Sequence, residues 1–400
     1  MTARVRLARR TRILVAALAL LAAVAVVVVG LALDRRPGPG PTPVTPTPLA
    51  GATTIGPTPT PAPTSPREPV TVTVTDRTVV ARDLAAPWGL APLPGGDLLV
   101  TLRDTGTLVR VATDGTSTPV TGPGADALAR DTVHSSESGL LGVALVPGTS
   151  DVVVQRTGED GNAVLRGTLT GTTLGELTTL LDGIPAAPFH DGGAVAFGPD
   201  GMLYVATGDA TEPRTAQDPD ALGGKILRLT PEGEPAPGNP LPGSPVWSLG
   251  HRNVQGLGWD AEGRMFASEL GQDTYDELNQ ILPGRNYGWP EVEGPGGEAD
   301  GFEDPLVTWT TDEASPSGLA VTDEGVYVAA LRGERLWRLD LAELVRGTAT
   351  PSVVLDGVGR LRGVVAGPDG TLLVSSSSTD GRGEPRDGDD HVWRLTLARS

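Results

Sequence analysis

The chain has 400 residues with a formal charge of −18, which argues against nucleic acid as a partner, since a phosphate backbone selects a basic face. It contains 54 glycines and 37 prolines, which points to many tight turns. It has no cysteine, so a disulfide framework, a zinc-thiolate site and a thiol nucleophile are all excluded.

In chain order, the first expected element is a membrane segment over residues 1–34. Arg4, Arg6, Arg9, Arg10 and Arg12 precede an apolar run from Ile13 to Leu33, interrupted only by Gly30. Roughly 20 apolar residues span a bilayer, and a basic flank stays in the cytoplasm. The rest of the chain is therefore expected outside, either anchored or released by cleavage near Ala32. Residues 35–69 are mostly Pro, Thr, Gly and Ala, a composition expected to form an extended spacer.

From Val70 to the C-terminus, residues 70–400, the pattern changes to short apolar runs separated by turn signals. One motif recurs six times: a glycine, a few apolar residues, a turn and a second short strand. The copies are GLAPLPGGDLLV from Gly89, GVALVPGTSDVVV from Gly142, GAVAFGPDGMLYV from Gly193, GLGWDAEGRMFA from Gly256, GLAVTDEGVYV from Gly318 and GVVAGPDGTLLV from Gly363. Each reads as two strands joined by a hairpin turn. Repeats about 45 to 63 residues apart predict propeller blades of about four strands. The expected fold is all-β, a six-bladed β-propeller, with a β-helix or paired β-sandwiches as alternatives. The alternating stretch Val70-TVTVT is expected to pair with the C-terminal HVWRLTL and close the last blade.

Chemistry is sought in the loops that a propeller directs at its central channel. His190 opens HDGG before the third repeat, and Asp209 follows at the far end of one hairpin, so both return to the same end. An imidazole beside a carboxylate suits a general base, although a structural His–Asp pair has the same spacing. Arg252 and Asn253 precede the fourth repeat at the equivalent place. Arg332, Arg360 and Arg362 suggest capture of a polyanion through bidentate contacts. Glu269, Asp273, Asp276 and Glu277 form an oxygen-rich run of a kind that can hold calcium, without EF-hand spacing. No G-x-S-x-G elbow and no G-x-G-x-x-G after a strand is present, which disfavours a serine hydrolase and a nicotinamide site.

In order, these segments resemble the soluble PQQ-dependent sugar dehydrogenases, the glucose/sorbosone dehydrogenase family. The resemblance rests on PWGLAPLPGGDLLVTLRDTG, SESGLLGVAL, HDGGAVAFGPDGMLYVATGD, GHRNVQGLGWDAEGRMFASELG, DELNQILPGRNYGWP and GRLRGVVAGPDG, and runs from about Pro87 to Leu397. It implies oxidation of an aldose at C1, with PQQ and calcium as cofactors and an external electron acceptor. It implies that His190 is the general base, that Asp209 orients it, and that Arg252 and Asn253 contact the quinone oxygens. Arg332, Arg360 and Arg362 match residues that grip the PQQ carboxylates. Glu137 aligns near the substrate and quinone, and Gly271 and Gln272 with a pair whose carbonyls hold calcium. The sequence departs from the family at Asp191, Ala194, Gln272, Gly363 and Ser138. Asp191 is expected to add negative charge beside the base. Two other readings remain: a non-enzymatic surface propeller that binds a sugar or a partner, and a metal-dependent lactonase-like hydrolase.

Overall fold

A computed structural model describes residues 70–367 and 370–400; the expected membrane segment and spacer lie outside the described residues. Among the described residues no helix is long and apolar enough to cross a membrane.

The six repeats form six antiparallel sheets, five of four strands and one of five. The innermost strands are Pro87–Pro92, Leu140–Leu145, Gly192–Phe197, Val254–Trp259, Pro316–Thr322 and Leu361–Ala366. Each packs against the next, and the sixth packs against the first, so the sheets close into a ring. The fold is a six-bladed β-propeller.

Close approach at the axis explains the recurring glycine. A Cβ on Gly142 would sit 2.3 Å from the Gly193 carbonyl oxygen, and one on Gly318 would sit 2.8 Å from the Arg362 carbonyl oxygen. No side chain fits between inner strands at that level.

Alternation along the strands supplies the core between blades. In Asp151–Gly158, Val152 and Val154 face the first blade and pack with Leu99, Leu128 and Leu140. Val153 faces the third blade and packs with Leu203, Val205 and Leu227. The same division recurs in Gly325–Ala330. Val326 and Val328 join Phe266 and Leu278 on one side, while Tyr327 joins Val374 and Leu395 on the other. A period of two with both faces apolar makes one strand serve two interfaces.

The ring is closed by both ends of the domain. Val72–Ala81 pairs antiparallel with Val392–Arg399, from Val72 opposite Arg399 to Ala81 opposite Val392. The N-terminal strand is thus the outermost strand of the last blade, in the order expected from the alternating Val70-TVTVT stretch.

Each inner strand starts, and each second strand ends, at one end of the ring. The loops there carry Glu137, His190, Arg252 and Arg360 on the entering side. On the leaving side they carry Arg103, Asp209, Arg332 and Asp380. This shared end is where the chemistry gathers.

Candidate active site

His190 lies between Asp209 and Arg252. Its Nδ1 is 2.8 Å from Asp209 Oδ1, and its Nε2 is 2.9 Å from Arg252 Nη2. A guanidinium only donates hydrogen bonds, so Nε2 accepts and the ring proton sits on Nδ1, donated to Asp209. The basic nitrogen is therefore Nε2.

Asp209 is fully buried and held on both oxygens. Oδ1 also accepts from the Thr211 backbone N–H at 2.9 Å, and Oδ2 accepts from Trp289 Nε1 at 2.8 Å. Arg252 lies over the Trp289 ring, with its guanidinium carbon 5.4 Å from the ring centroid. Its Nη1 donates to the Leu270 carbonyl at 3.1 Å, its backbone N–H donates to Glu269, and burial lowers its pKa. Trp289, in the NYGWP segment, thus supports both partners of the imidazole. The sequence reading quoted that segment without assigning Trp289 a role.

The residues named from sequence do not all meet at one point. Glu137 Oε2 accepts from the His190 backbone N–H at 3.1 Å, and its Oε1 pairs with Arg382 Nη2 at 2.8 Å. Asn253 is buried, and its amide oxygen accepts from the Gly192 backbone N–H at 3.0 Å, tying the third blade to the fourth. Asp191 turns away from the imidazole. Its Oδ1 accepts from Asn162 Nδ2 at 2.9 Å and from the Ala187 backbone N–H at 3.2 Å. Burial pushes its pKa up to about 6.

Arg360 and Arg362 converge on one carboxylate that the sequence reading passed over. Arg360 Nη2 is 3.0 Å from Asp380 Oδ2, and Arg362 Nη2 is 3.7 Å from the same oxygen. Arg362 is buried over Trp88, donates through Nη1 to Gln255 Oε1 at 2.7 Å, and has its pKa pushed down to about 10 by desolvation. Its Nε is buried without a partner. Arg332 stands at the rim, 58% exposed, beside Asp312 at 3.0 Å.

A cavity of about 460 Å³ opens between these groups. Its charged lining is Arg103, Arg332, Arg360, Arg362 and Arg382 against Glu137 and Asp380. Glu137 offsets Arg382, and the other four arginines outnumber Asp380, so the excess of positive charge lies around Arg360 and Arg362, which is the field a polyanion needs. The His190–Asp209–Arg252 unit borders this cavity, joined to its wall through Glu137 and Leu270.

The oxygen-rich run is used internally. Glu269 accepts from His251 Nδ1 at 2.9 Å, Asp276 accepts from the Gly271 and Ser315 backbone N–H groups, and Glu277 accepts from Asn279 and the Gly294 N–H. The N–H groups of Gln272, Asp273, Thr274 and Tyr275 all point at Glu293 Oε1. Burial raises the Glu293 pKa, but these donors outweigh it and the net shift is downward. Among the described residues no three His, Asp or Glu side chains form a metal cluster. An ion at Gly271 and Gln272 would rest on backbone carbonyls.

The glucose/sorbosone dehydrogenase family model matches residues 84–384. The structure of the PQQ-bound form of aldose sugar dehydrogenase from Streptomyces coelicolor is similar, with a TM-score of 0.77 and 49% identity over 84% of this chain and 100% of that one. Aldose sugar dehydrogenase YliI of Escherichia coli is 28% identical over 365 residues, which is 78% of this chain and 92% of its own. Quinoprotein glucose dehydrogenase B of Acinetobacter calcoaceticus is 35% identical over 144 residues, 30% of each chain. Fold and similarity agree, and the chain belongs to the glucose/sorbosone dehydrogenase family, the soluble PQQ-dependent sugar dehydrogenases.

Proposed function

We propose that this chain oxidises an aldose at C1 to the lactone, using PQQ as cofactor. The observation that carries the reading is the His190–Asp209–Arg252 unit at the edge of an arginine-lined cavity. The cavity fits the cofactor chemically. PQQ is a flat tricarboxylate, and buried Arg362 has an unpartnered Nε beside Arg360. Arg360, Arg362 and Arg332 would hold its carboxylates by charge-assisted bonds. Arg252 and Asn253 would serve the quinone oxygens, and Glu137 would stand near both sugar and cofactor. When bound, PQQ supplies the two-electron acceptor for the hydride from C1.

The protein's own part is proton handling and positioning. Asp209, fixed by Trp289 and Thr211, keeps the Nδ1–H tautomer, so the Nε2 lone pair faces outward. In this arrangement Arg252 occupies that lone pair. A C1 hydroxyl displaces the Arg252 N–H, donates to Nε2 and gives up its proton there. The freed guanidinium then faces the negative charge that develops nearby. Calcium is proposed at the carbonyls of Gly271 and Gln272, and the electrons leave to an external acceptor.

The N-terminal residues 1–34 are proposed to hold residues 70–400 outside the cytoplasmic membrane on the 35–69 spacer, or to direct release if cleaved near Ala32. Cell fractionation tests this: the domain recovered from the cytosol overturns it.

The functional test is titration of PQQ with calcium into the full chain, followed by dye reduction with a panel of aldoses. Aldose-dependent reduction that requires PQQ supports the proposal. PQQ binding with no aldose oxidised would leave a non-enzymatic propeller.

A further inference from the structure

The rim of the cavity holds an apolar and charged pair that the fold does not explain. Phe189 is 41% exposed, next to His190 in sequence. The Arg382 guanidinium carbon lies 5.4 Å from its ring centroid. Arg382 comes from the long loop between Leu372–Ser376 and Val392–Arg399 of the last blade. It reaches past the first blade to Glu137, before the second, at 2.8 Å. Its side chain remains 50% exposed, and an ion pair so exposed stabilises a fold little.

We propose that Phe189, Arg382 and Glu137 form a subsite that recognises the ring and hydroxyls of a neutral aldose beyond C1; this rests on the function proposed above. An exposed phenyl ring offers an apolar platform to the C–H face of a pyranose. Arg382 and Glu137 both line the cavity, so this pair offers N–H donors and a carboxylate acceptor to the hydroxyls of a sugar bound there. Glu137 already compensates the Arg382 charge, so the subsite favours a neutral sugar over an acidic one. It also places the sugar relative to the base, because Glu137 Oε2 accepts from the His190 backbone N–H.

The test uses the full chain loaded with PQQ. KM and kcat are measured for a neutral aldose and its matching uronic acid in wild type, Arg382→Ala, Arg382→Lys and Phe189→Ala. Loss of a charge-assisted contact predicts a KM increase of about tenfold or more for the neutral aldose in Arg382→Ala. Arg382→Lys restores part of it, kcat changes far less than KM, and the PQQ affinity is retained. An unchanged KM in both Arg382→Ala and Phe189→Ala overturns the subsite, and so does a wild-type preference for the uronic acid. If PQQ affinity falls in step with KM, Arg382 serves the cofactor and the subsite is wrong. A wild type that binds PQQ but oxidises no aldose removes the enzymatic reading and this subsite with it.

Discussion

His190 has φ of 64°, a left-handed backbone conformation that costs an L-residue on the order of 1 kcal/mol or more. The surroundings hold it there. Its N–H donates to Glu137 and its carbonyl accepts from the Ala210 N–H at 3.1 Å. The ring is thereby fixed with Nδ1 on Asp209 before any substrate arrives. His190→Gln should fold and bind PQQ, because the arginines that grip the cofactor come from other blades. PQQ reduction by an aldose should fall by roughly 10²–10⁴-fold, measured by stopped flow. Asp209→Asn and Trp289→Phe should lose less, since each only orients the ring. Wild-type turnover in His190→Gln would remove this residue from the chemistry. Arg360→Ala leaves Asp380 with fewer partners and takes one grip from the cofactor. It should weaken PQQ binding by about 30-fold or more, from the roughly 2–5 kcal/mol cost of truncating a buried charge pair. An unchanged titration curve would count Arg360 as a structural partner of Asp380 alone.

At the scale of elements, the blades were legible because each inner hairpin carries its own local signals. The glycine that permits close approach, the turn and the apolar pair recur at similar offsets from Gly89 to Gly363. His190 and Asp209 were legible for the same reason, since one hairpin joins them. Arg382 and Trp289 were not. They act through loops that cross between blades, and no local periodicity records which distant residue a loop meets. Asp380 carried the same signal as Asp209, since it follows Arg360 across one hairpin of the last blade, and the reading passed over it. Asp191 shows the converse: adjacency to His190 suggested a shared environment, yet its side chain turns to Asn162 of the second blade. The strands themselves make a separate prediction. Leu203 is fully buried between two blades, so Leu203→Ala should destabilise by about 2–5 kcal/mol in denaturant titration. Val353, 42% exposed on an outer strand, should change by no more than about 0.5 kcal/mol when replaced by Ala. Equal effects would mean that the interface between blades is not the stabilising layer.

For the molecule as a whole, three buried carboxyls lower stability as pH rises, opposed above about pH 7 by buried Lys225, whose pKa desolvation lowers to about 7. Burial raises Asp191 and Asp276 to about 6. Glu277 rises to about 8, through burial first and then the charge of Glu269. A carboxyl with a raised pKa binds its proton more tightly in the folded state. Its stabilisation is complete below the unfolded value and is lost as pH rises through the folded one. Stability from these groups should therefore decline from about pH 4 to about pH 8. Calorimetry from pH 5 to 7 should show a falling Tm, and Glu277→Gln should make that fall shallower. A Tm that rises over this range would mean that these carboxyls are ionised in the folded protein.

The pairing of Val72–Ala81 with Val392–Arg399 sets an order of events for a newly made chain. Partners more than 300 residues apart must meet before the ring is complete, so Val72–Ala81 is made long before the strand it pairs with. Such a distant pairing is slow because its loop-closure entropy is lost before any contact is gained. Until then, the inner strands of the first and last blades have open flanks, and Val100 and Leu373 lack each other. Removing Val72–Ala81 would make that interval permanent, leaving the unpaired edge of Val392–Arg399 as a template for another chain. Aggregation during refolding, followed by light scattering, should therefore rise sharply in a variant lacking this strand, even though it touches no residue of the active site.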